Sequence, residues 1–327
     1  MAAISSARGL RLNKSTNVRL RELGIASARL GMQLLTAKTP RLAARYAEHL
    51  FLTPHRYARP GWERRALLNA TSIRFAHEGT LLPAWVWGPS LFVPNVATVV
   101  LVHGWEGRGS QLSAYAESLV RRGFRVVTFD GPGHGDAPDA DSSFVDLARA
   151  LVSLSLFIGP AHAVIAHSVG GAAALLATRF GFTAERFALI APPVSPERFV
   201  RGFSQALGLA DEVRDAMFAR LEEHYELRVP ELDVRKDAAT VSGSILVVHD
   251  TDDRAVPLSD GKAIADTAKD GRFFATSGLG HHRILRDAES IAEVTKFVAE
   301  GVDALALKQA SFSESLDGEL YFRDQRR

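Results

Sequence analysis

One segment constrains the fold of this chain more than any other: the six residues from Ala166 to Gly171, which read AHSVGG. It follows an apolar run at 163–166 and precedes a helix-forming run at 172–178. A strand, a serine flanked by compact residues and then a helix predict a strained turn that lifts the serine hydroxyl clear of a sheet. Because a serine hydroxyl alone is a poor nucleophile, this interpretation requires a base and an acid further along the chain.

Candidate acids and bases follow the serine in the order that such a turn requires. The β-branched run at 244–249 predicts a buried parallel strand, whose carboxyl end faces the crevice where α/β sheets bind ligands. Three aspartates stand there: Asp250, Asp252 and Asp253. A second strand-like run at 272–275 leads to His281 and His282. Spacing alone leaves the choice among these carboxylates and imidazoles open.

Four segments together resemble the α/β-hydrolase superfamily over roughly residues 70–305. Two of them follow predicted strands, His103-Gly104-Trp105 and the glycine-rich run from Asp130 to Gly135. The serine turn is the third, and the paired acid and base loops are the fourth. The superfamily's turn usually begins with glycine, and Ala166 stands in that place here. The resemblance implies an α/β fold, with a mostly parallel central sheet and helices on both faces.

The resemblance also assigns roles to individual residues. It implies that Ser168 is the nucleophile and that His281, which directly follows a glycine, is the general base. Asp253, four residues before a proline, is then the acid that orients the histidine. The backbone amides of Trp105 and Val169 are the expected oxyanion hole.

Neighbouring residues receive other expected roles. Asp250 and Asp252 are expected to cap the turn or the following helix. His282 is expected to line the rim of the pocket. Three polar residues after the predicted third strand could contact substrate or face solvent, and solvent is the favoured expectation: Glu106, Arg108 and Gln111.

Strands alternate with helices from residue 97 onward, after a hairpin-like start, which predicts one catalytic domain over 66–305. Between 192 and 241 the alternation breaks, and spaced apolar residues predict short amphipathic helices. By resemblance this segment caps the site, with Phe199 and Phe203 as pocket candidates. Residues 1–65 are expected to form a basic helical extension, and 306–327 a polar tail.

The basic extension is the main clue to partners, since residues 1–65 hold 13 Lys or Arg against 3 Asp or Glu. Apolar residues at helical spacing favour a helix docked on the catalytic domain or on a partner subunit. Peripheral contact with an anionic membrane is a less favoured alternative. Nucleic acid is not expected, because no aromatic residues are interleaved with the charges.

The sequence does not favour disulfides, a metal site or a cofactor site. The chain has no cysteine, and its histidines lack metal-site spacing, so neither disulfides nor a metal is expected. No dinucleotide or phosphate-binding fingerprint is present, so no cofactor is expected. Without an apolar run long enough for a membrane span or a signal peptide, a cytoplasmic location is expected.

The resulting hypothesis is a serine hydrolase acting on a small-molecule ester with a small to medium apolar acyl group. Thioester or amide cleavage, acyl transfer to an alcohol and cofactor-free perhydrolysis remain alternatives within the same fold. The alternative from another class is a non-hydrolytic binding or scaffold protein that engages a membrane or partner through the basic arm.

Overall fold

Eight strands form one sheet in the computed structural model, which describes residues 29–302. The strands run in the order β1-β2-β4-β3-β5-β6-β7-β8. Their bounds are β1 Thr71–His77, β2 Thr80–Trp87, β3 Thr98–Val102, β4 Arg125–Phe129, β5 Ala161–His167, β6 Ala184–Ile190, β7 Ser244–Asp250 and β8 Gly271–Thr276. β1 and β2 form an antiparallel hairpin, β2 pairs antiparallel with β4, and all the other pairs are parallel. The predicted fold class, a mostly parallel sheet in an α/β protein, is confirmed.

A helix follows each strand from β3 onward, as the alternation in the sequence predicts. The bounds of the helices around the sheet are α3 Gly61–Leu67, α4 Ser113–Val120, α5 Phe144–Ile158, α6 Val169–Ala177, α9 Val234–Ala238, α10 Leu258–Thr267, α11 Gly280–Arg283 and α12 Ala288–Ala299. The apolar periodicity of the sequence predicts the last long helix over 284–304, and in the structure this helix covers only Ala288–Ala299. It begins after a short 3-10 turn because Asp287 caps it, its side chain accepting a hydrogen bond from the Ser290 amide.

The core explains why the central strands carry continuous apolar runs. All five residues of β3 and of β4, and all seven of β5, are buried, as expected for parallel strands covered on both faces. The helices α4 and α12 pack together beside this core. Since parallel strands share one carboxyl edge, the loops after β3, β5, β7 and β8 lie at the same edge of the sheet.

The described residues divide into two compact units, and residues 52–196 form the sheet-containing unit together with the chain from 230 onward. The second unit is helical. It contains α1, described over 29–38, α2 Pro40–Leu52 as far as Phe51, α7 Glu197–Leu207 and α8 Asp211–Tyr225. Within it the Phe51 and Phe203 rings meet edge to face at 5.2 Å, and Arg220 pairs with Glu48.

The helical N-terminal extension expected over 1–65 is therefore described only in part. Its first 28 residues and the expected tail at 306–327 lie outside the described residues. Residues 53–65 belong to the sheet-containing unit, where α3 begins at Gly61. Within residues 29–302, no helix is long and apolar enough to cross a membrane.

Candidate active site

Ser168 occupies a strained turn between β5 and α6. Its φ is +53° and its ψ is −127°, a conformation that side chains with a Cβ rarely adopt. The turn has no room for bulk, because a Cβ placed on Gly170 would collide with the carbonyl oxygen of His103. The Ser168 amide donates to the Ile190 carbonyl at 2.8 Å, which ties the turn to the neighbouring strand.

Three predicted residues come together in one chain of hydrogen bonds. His281 Nε2 lies 2.9 Å from Ser168 Oγ, and His281 Nδ1 lies 2.7 Å from Asp253 Oδ2. A carboxylate can only accept, so Nδ1 carries the proton and the Nε2 of the neutral ring accepts from the Ser168 hydroxyl. This tautomer leaves Nε2 ready to receive the serine proton.

The Asp253 side chain is fully buried and has several donors. Its Oδ1 accepts from the amides of Ala255 and Val256, at 2.8 and 3.0 Å. His249 Nε2 lies 3.5 Å from Oδ2. Burial alone would raise the pKa of Asp253, but His249, His281 and the Val256 amide outweigh burial and hold it well below its usual value. The carboxylate therefore stays ionised.

Asp250 and Asp252 bind the backbone of the loop that carries His281. Each oxygen of the fully buried Asp250 carboxylate accepts two hydrogen bonds, and three of its four donors belong to the end of β8 and the loop that follows it: Thr276 Oγ1, Leu279 N and Gly280 N. The fourth is the Asp252 amide, and Asp252 Oδ2 accepts from the Gly278 amide at 2.7 Å. These donors hold the pKa of Asp250 below its usual value, although burial opposes them. Both aspartates thus join the acid loop to the base loop.

His249 is a further residue beside Asp253 in the candidate site, and the sequence did not identify it. Its ring is fully buried, and because Nε2 lies 3.1 Å from the Val256 carbonyl, that nitrogen carries the proton. Within the described residues its Nδ1 has no hydrogen-bond partner and faces Gly261, where a Cβ would collide with it. A histidine at the end of a predicted strand, four residues before the candidate acid, was the only signal available.

The loop after β3 passes directly beside the serine. A Cβ built on Gly104 would lie 3.0 Å from the Ser168 Cβ, so glycine permits this approach. Trp105 follows Gly104, and Val169 is the first residue of α6, whose amide has no preceding helical carbonyl to bond. The amides predicted as the oxyanion hole thus belong to the two segments that meet at Ser168.

Two buried histidines brace this loop. His103 Nδ1 donates to the Gly104 carbonyl at 2.8 Å, and its Nε2 accepts from the Gly131 amide at 2.9 Å. His134 packs 4.9 Å from the His103 ring and 5.2 Å from the Trp105 ring. Burial lowers the pKa of His103 to about 4 and that of His134 to about 3, so both rings are neutral. Each acts as a hydrogen-bonded support.

The expectation that Arg108 faces solvent is wrong. Arg108 is 6% exposed and makes a two-pronged ion pair with Glu63 of α3, which is 1% exposed. A buried guanidinium needs a carboxylate partner, and the partner lies 45 residues earlier in the sequence. No local pattern could have predicted that pair.

The remaining predicted pocket residues lie in different units. His282 is exposed, and its ring lies 5.1 Å from the His281 ring. Partial desolvation, together with His281, lowers the pKa of His282. Phe199 and Phe203 lie on α7 in the helical unit, and both are partly buried. Among residues 29–302, no group of three or more ligating side chains is placed to hold a metal ion.

Comparison with known proteins places this chain in a family of hydrolases. A family model described as "Alpha/beta hydrolase family" matches residues 99–294. The chain is 23% identical over 258 residues to a bifunctional esterase/perhydrolase from Acinetobacter calcoaceticus, covering 63% of this chain and 91% of that protein.

Solved structures resemble the chain at the level of the fold. An esterase from Pyrococcus furiosus gives a TM-score of 0.57 with 14% identity, over 75% of this chain and 98% of that one. An esterase from a Rhodococcus species gives 0.52 with 17% identity, over 71% and 99%. The family match spans the serine turn and both the acid and base loops, and this chain belongs to the alpha/beta hydrolase family.

Proposed function

We propose that this protein is a serine hydrolase that cleaves carboxylic esters through Ser168, His281 and Asp253. One observation carries the proposal. The unbroken hydrogen-bond chain from Ser168 Oγ through the imidazole of His281 to the buried carboxylate of Asp253 sets the tautomer that accepts a proton from serine. The strained backbone of Ser168 presents that hydroxyl at the carboxyl edge of the sheet.

The proposed reaction proceeds through an acyl-enzyme. Ser168 Oγ attacks the ester carbonyl carbon while His281 Nε2 takes the hydroxyl proton, and the amides of Trp105 and Val169 donate to the resulting oxyanion. Collapse of this intermediate breaks the bond to the alcohol oxygen, which receives the proton from His281. Water, deprotonated by His281, then attacks the acyl carbon and releases the acid and free Ser168. Asp253 stabilises the imidazolium formed in both halves.

The substrate class that we propose is a small to medium apolar acyl ester, with thioesters as close analogues. Trp105, on the loop beside the serine, supports an apolar wall for the acyl group. Relatives whose names include esterase and perhydrolase activities support ester chemistry as the starting point. The proposed steps use only side chains and backbone amides of this chain.

Covalent labelling with a fluorophosphonate tests the proposal without a guess about the substrate. The wild-type protein should gain one probe mass on the peptide that contains Ser168, and Ser168→Ala should not be labelled. Ser259→Ala, which changes an exposed serine of α10, should be labelled at the wild-type rate. A folded wild-type protein that takes up no probe would contradict the proposal and favour a binding or scaffold function. Labelling would be followed by a panel of esters of increasing acyl length.

A further inference from the structure

The loop that carries Trp105 is held from a part of the chain that the family match does not include. The match begins at residue 99, whereas Glu63 lies in α3, before the first strand. Arg108 Nε and Nη2 each donate to a different oxygen of Glu63 at 2.6 Å. Ser110 Oγ adds a third donor at 2.6 Å. Glu63 thus binds the last part of this loop at two residues.

A second link runs in parallel through Arg59. Its Nη2 lies 2.6 Å from Asp130 Oδ2, and its Nε donates to Ser110 Oγ at 3.1 Å. Asp130 is fully buried, and its Oδ1 accepts from the Gly109 amide at 2.8 Å. Arg59 also pairs with Asp136. The segment before β1 is therefore tied to the loops that follow both β3 and β4.

The loop that carries Trp105 needs contacts from another part of the chain because its own backbone is strained. Glu106 has a φ of +54°, which is costly for a residue with a side chain. The turn around it is closed by the Gly107 amide, which donates to the Gly104 carbonyl at 3.0 Å. The early segment also holds Glu106 itself, since the His55 amide lies 3.3 Å from Oε1 and the Tyr57 hydroxyl 3.4 Å from Oε2.

The buried ion pair of Glu63 and Arg108 is better explained by a role in orienting the backbone than by a contribution to the stability of the fold. Replacing a buried ion pair with apolar residues of similar volume is often neutral or stabilising, because burial removes the hydration of both charges. A planar guanidinium held by both oxygens of one carboxylate, in contrast, fixes the direction of the backbone that carries it. Arg108 lies three residues after Trp105, on the far side of the strained turn.

We propose that Glu63 and Arg108 form a positioning pair that holds the Trp105 amide at the oxyanion site, so that the segment before the sheet is needed for transition-state binding. The inference rests on the proposed function, in which that amide donates to the oxyanion. Neither residue touches the reacting atoms in this account. They act through the backbone of residues 104–108.

Three variants test this proposal: Glu63→Leu, Arg108→Met and the double variant. The double variant removes both charges together and so avoids leaving one buried charge without a partner. Its thermal midpoint should lie closer to the wild-type value than that of either single variant. Glu117→Gln is the matched control, because it breaks an exposed ion pair between Glu117 of α4 and Arg121, the residue after that helix. The control should react at the wild-type rate.

Two readouts separate an oxyanion defect from general damage. In the folded double variant, the rate of fluorophosphonate labelling and the affinity for a trifluoromethyl ketone should both fall about 10- to 100-fold, short of the loss of a whole oxyanion donor. KM for a short p-nitrophenyl ester should stay within about two-fold, because the ester binds before the oxyanion forms. The low-field proton resonance of the His281–Asp253 hydrogen bond should be unchanged.

Arg108→Lys provides a geometric check. It keeps the charge but cannot bond both carboxylate oxygens in one plane. Its rate of fluorophosphonate labelling should therefore fall nearly as far as that of the double variant. A folded double variant with a labelling rate and ketone affinity within two-fold of wild type would overturn the proposal. That result would leave the proposed function intact, since the function fails only if Ser168→Ala is still labelled or the wild type is not.

Discussion

His167 Nε2 lies 3.0 Å from the backbone carbonyl oxygen of His281, so the residue before the proposed nucleophile holds the main chain of the proposed base. The two rings pack with their centroids 4.7 Å apart. Because a carbonyl can only accept, Nε2 of His167 carries the proton. Burial, together with His281, keeps the pKa of His167 well below its usual value, so the ring stays neutral.

Replacing His167 by Phe keeps an aromatic ring but removes the donor. We expect kcat to fall by about 10- to 100-fold with little change in KM, because small displacements of a catalytic group are costly. His167→Gln, whose amide nitrogen can reach the same carbonyl, should retain most of the activity. Steady-state kinetics on a p-nitrophenyl ester would measure both. A folded Phe variant with wild-type kcat would show that the hydrogen bond has no positioning role.

Asp253→Asn tests the acid directly. The amide nitrogen can no longer accept from His281 Nδ1, so the ring loses the tautomer that receives the serine proton. The loss of kcat should be about 10⁴-fold, the size found when such an aspartate is changed to asparagine in another serine hydrolase. Asp266→Asn, on the exposed side of α10, is the control and should leave kcat unchanged. Activity above a tenth of wild type would exclude Asp253 as the orienting acid.

Asp250→Asn should lower the stability of the fold more than the rate of the reaction. Each oxygen of Asp250 accepts two hydrogen bonds, so an amide nitrogen in either position faces two donors. We expect the free energy of unfolding to fall by about 2–3 kcal/mol. Urea unfolding followed by circular dichroism would measure the change. A fall below half a kilocalorie would mean that the loop carrying His281 does not depend on this carboxylate.

Gly104→Ala should push the loop that carries Trp105 away from the serine. The new Cβ would lie 3.0 Å from the Ser168 Cβ and 3.1 Å from the His167 carbonyl oxygen. We expect kcat to fall at least about ten-fold, and the free energy of unfolding to fall by about 1–3 kcal/mol.

Gly202→Ala is the matched control for Gly104. It lies in α7 with no atom within 4 Å of the new Cβ, and it should stabilise the helix by roughly 1 kcal/mol. Comparing urea unfolding and kcat for the two variants separates steric pressure at the site from the general effect of adding a methyl group. Equal effects of the two substitutions would contradict the close approach at Gly104.

Acid should destabilise the protein at pH values well above the range where carboxylates titrate. His103, His134 and His167 have folded-state pKa values below the usual value of about 6.5. The unfolded chain therefore binds protons that the folded chain does not. Stability is full above about pH 6.5 and is lost as the pH falls towards 4, by up to ~1.4 kcal/mol per pH unit for each histidine.

Unfolding free energies measured between pH 4 and 7.5 would test this dependence. His134→Gln should reduce the slope by about one proton, because it removes one of the buried rings. Gly202→Ala, which changes no titratable group, is the control and should leave the slope unchanged. A flat stability profile down to pH 4.5 would contradict the neutral state of these three histidines.

Much of the fold could be predicted because buried parallel strands have a recognisable sequence pattern. The fully buried strands β3, β4 and β5 read as continuous β-branched and apolar runs, each followed by a turn. The ends of helices were harder, since a single capping hydrogen bond decides them. Asp287, for example, starts α12 four residues later than the apolar periodicity suggested.

Residues whose roles depend on tertiary contacts left little signal in the amino-acid sequence. Asp250 reads as one of three neighbouring aspartates, yet its carboxylate binds three groups at the end of β8 and in the loop that carries His281. Arg108 reads as a solvent-exposed charge, yet it is buried against Glu63. In both cases the partner is distant in sequence, so neither spacing nor composition contains the information.

The sequence by itself determined the fold class, the strained turn around Ser168, and the chain order of serine, aspartate and histidine. It could do so because strands, turns and helix starts depend on neighbouring residues. Only the tertiary structure decided that Asp253 bonds His281, that Asp250 accepts from the amide before His281, and that Glu63 pairs with Arg108. Those choices depend on where chain folding brings side chains into hydrogen-bonding distance, and buried polar groups must find partners there.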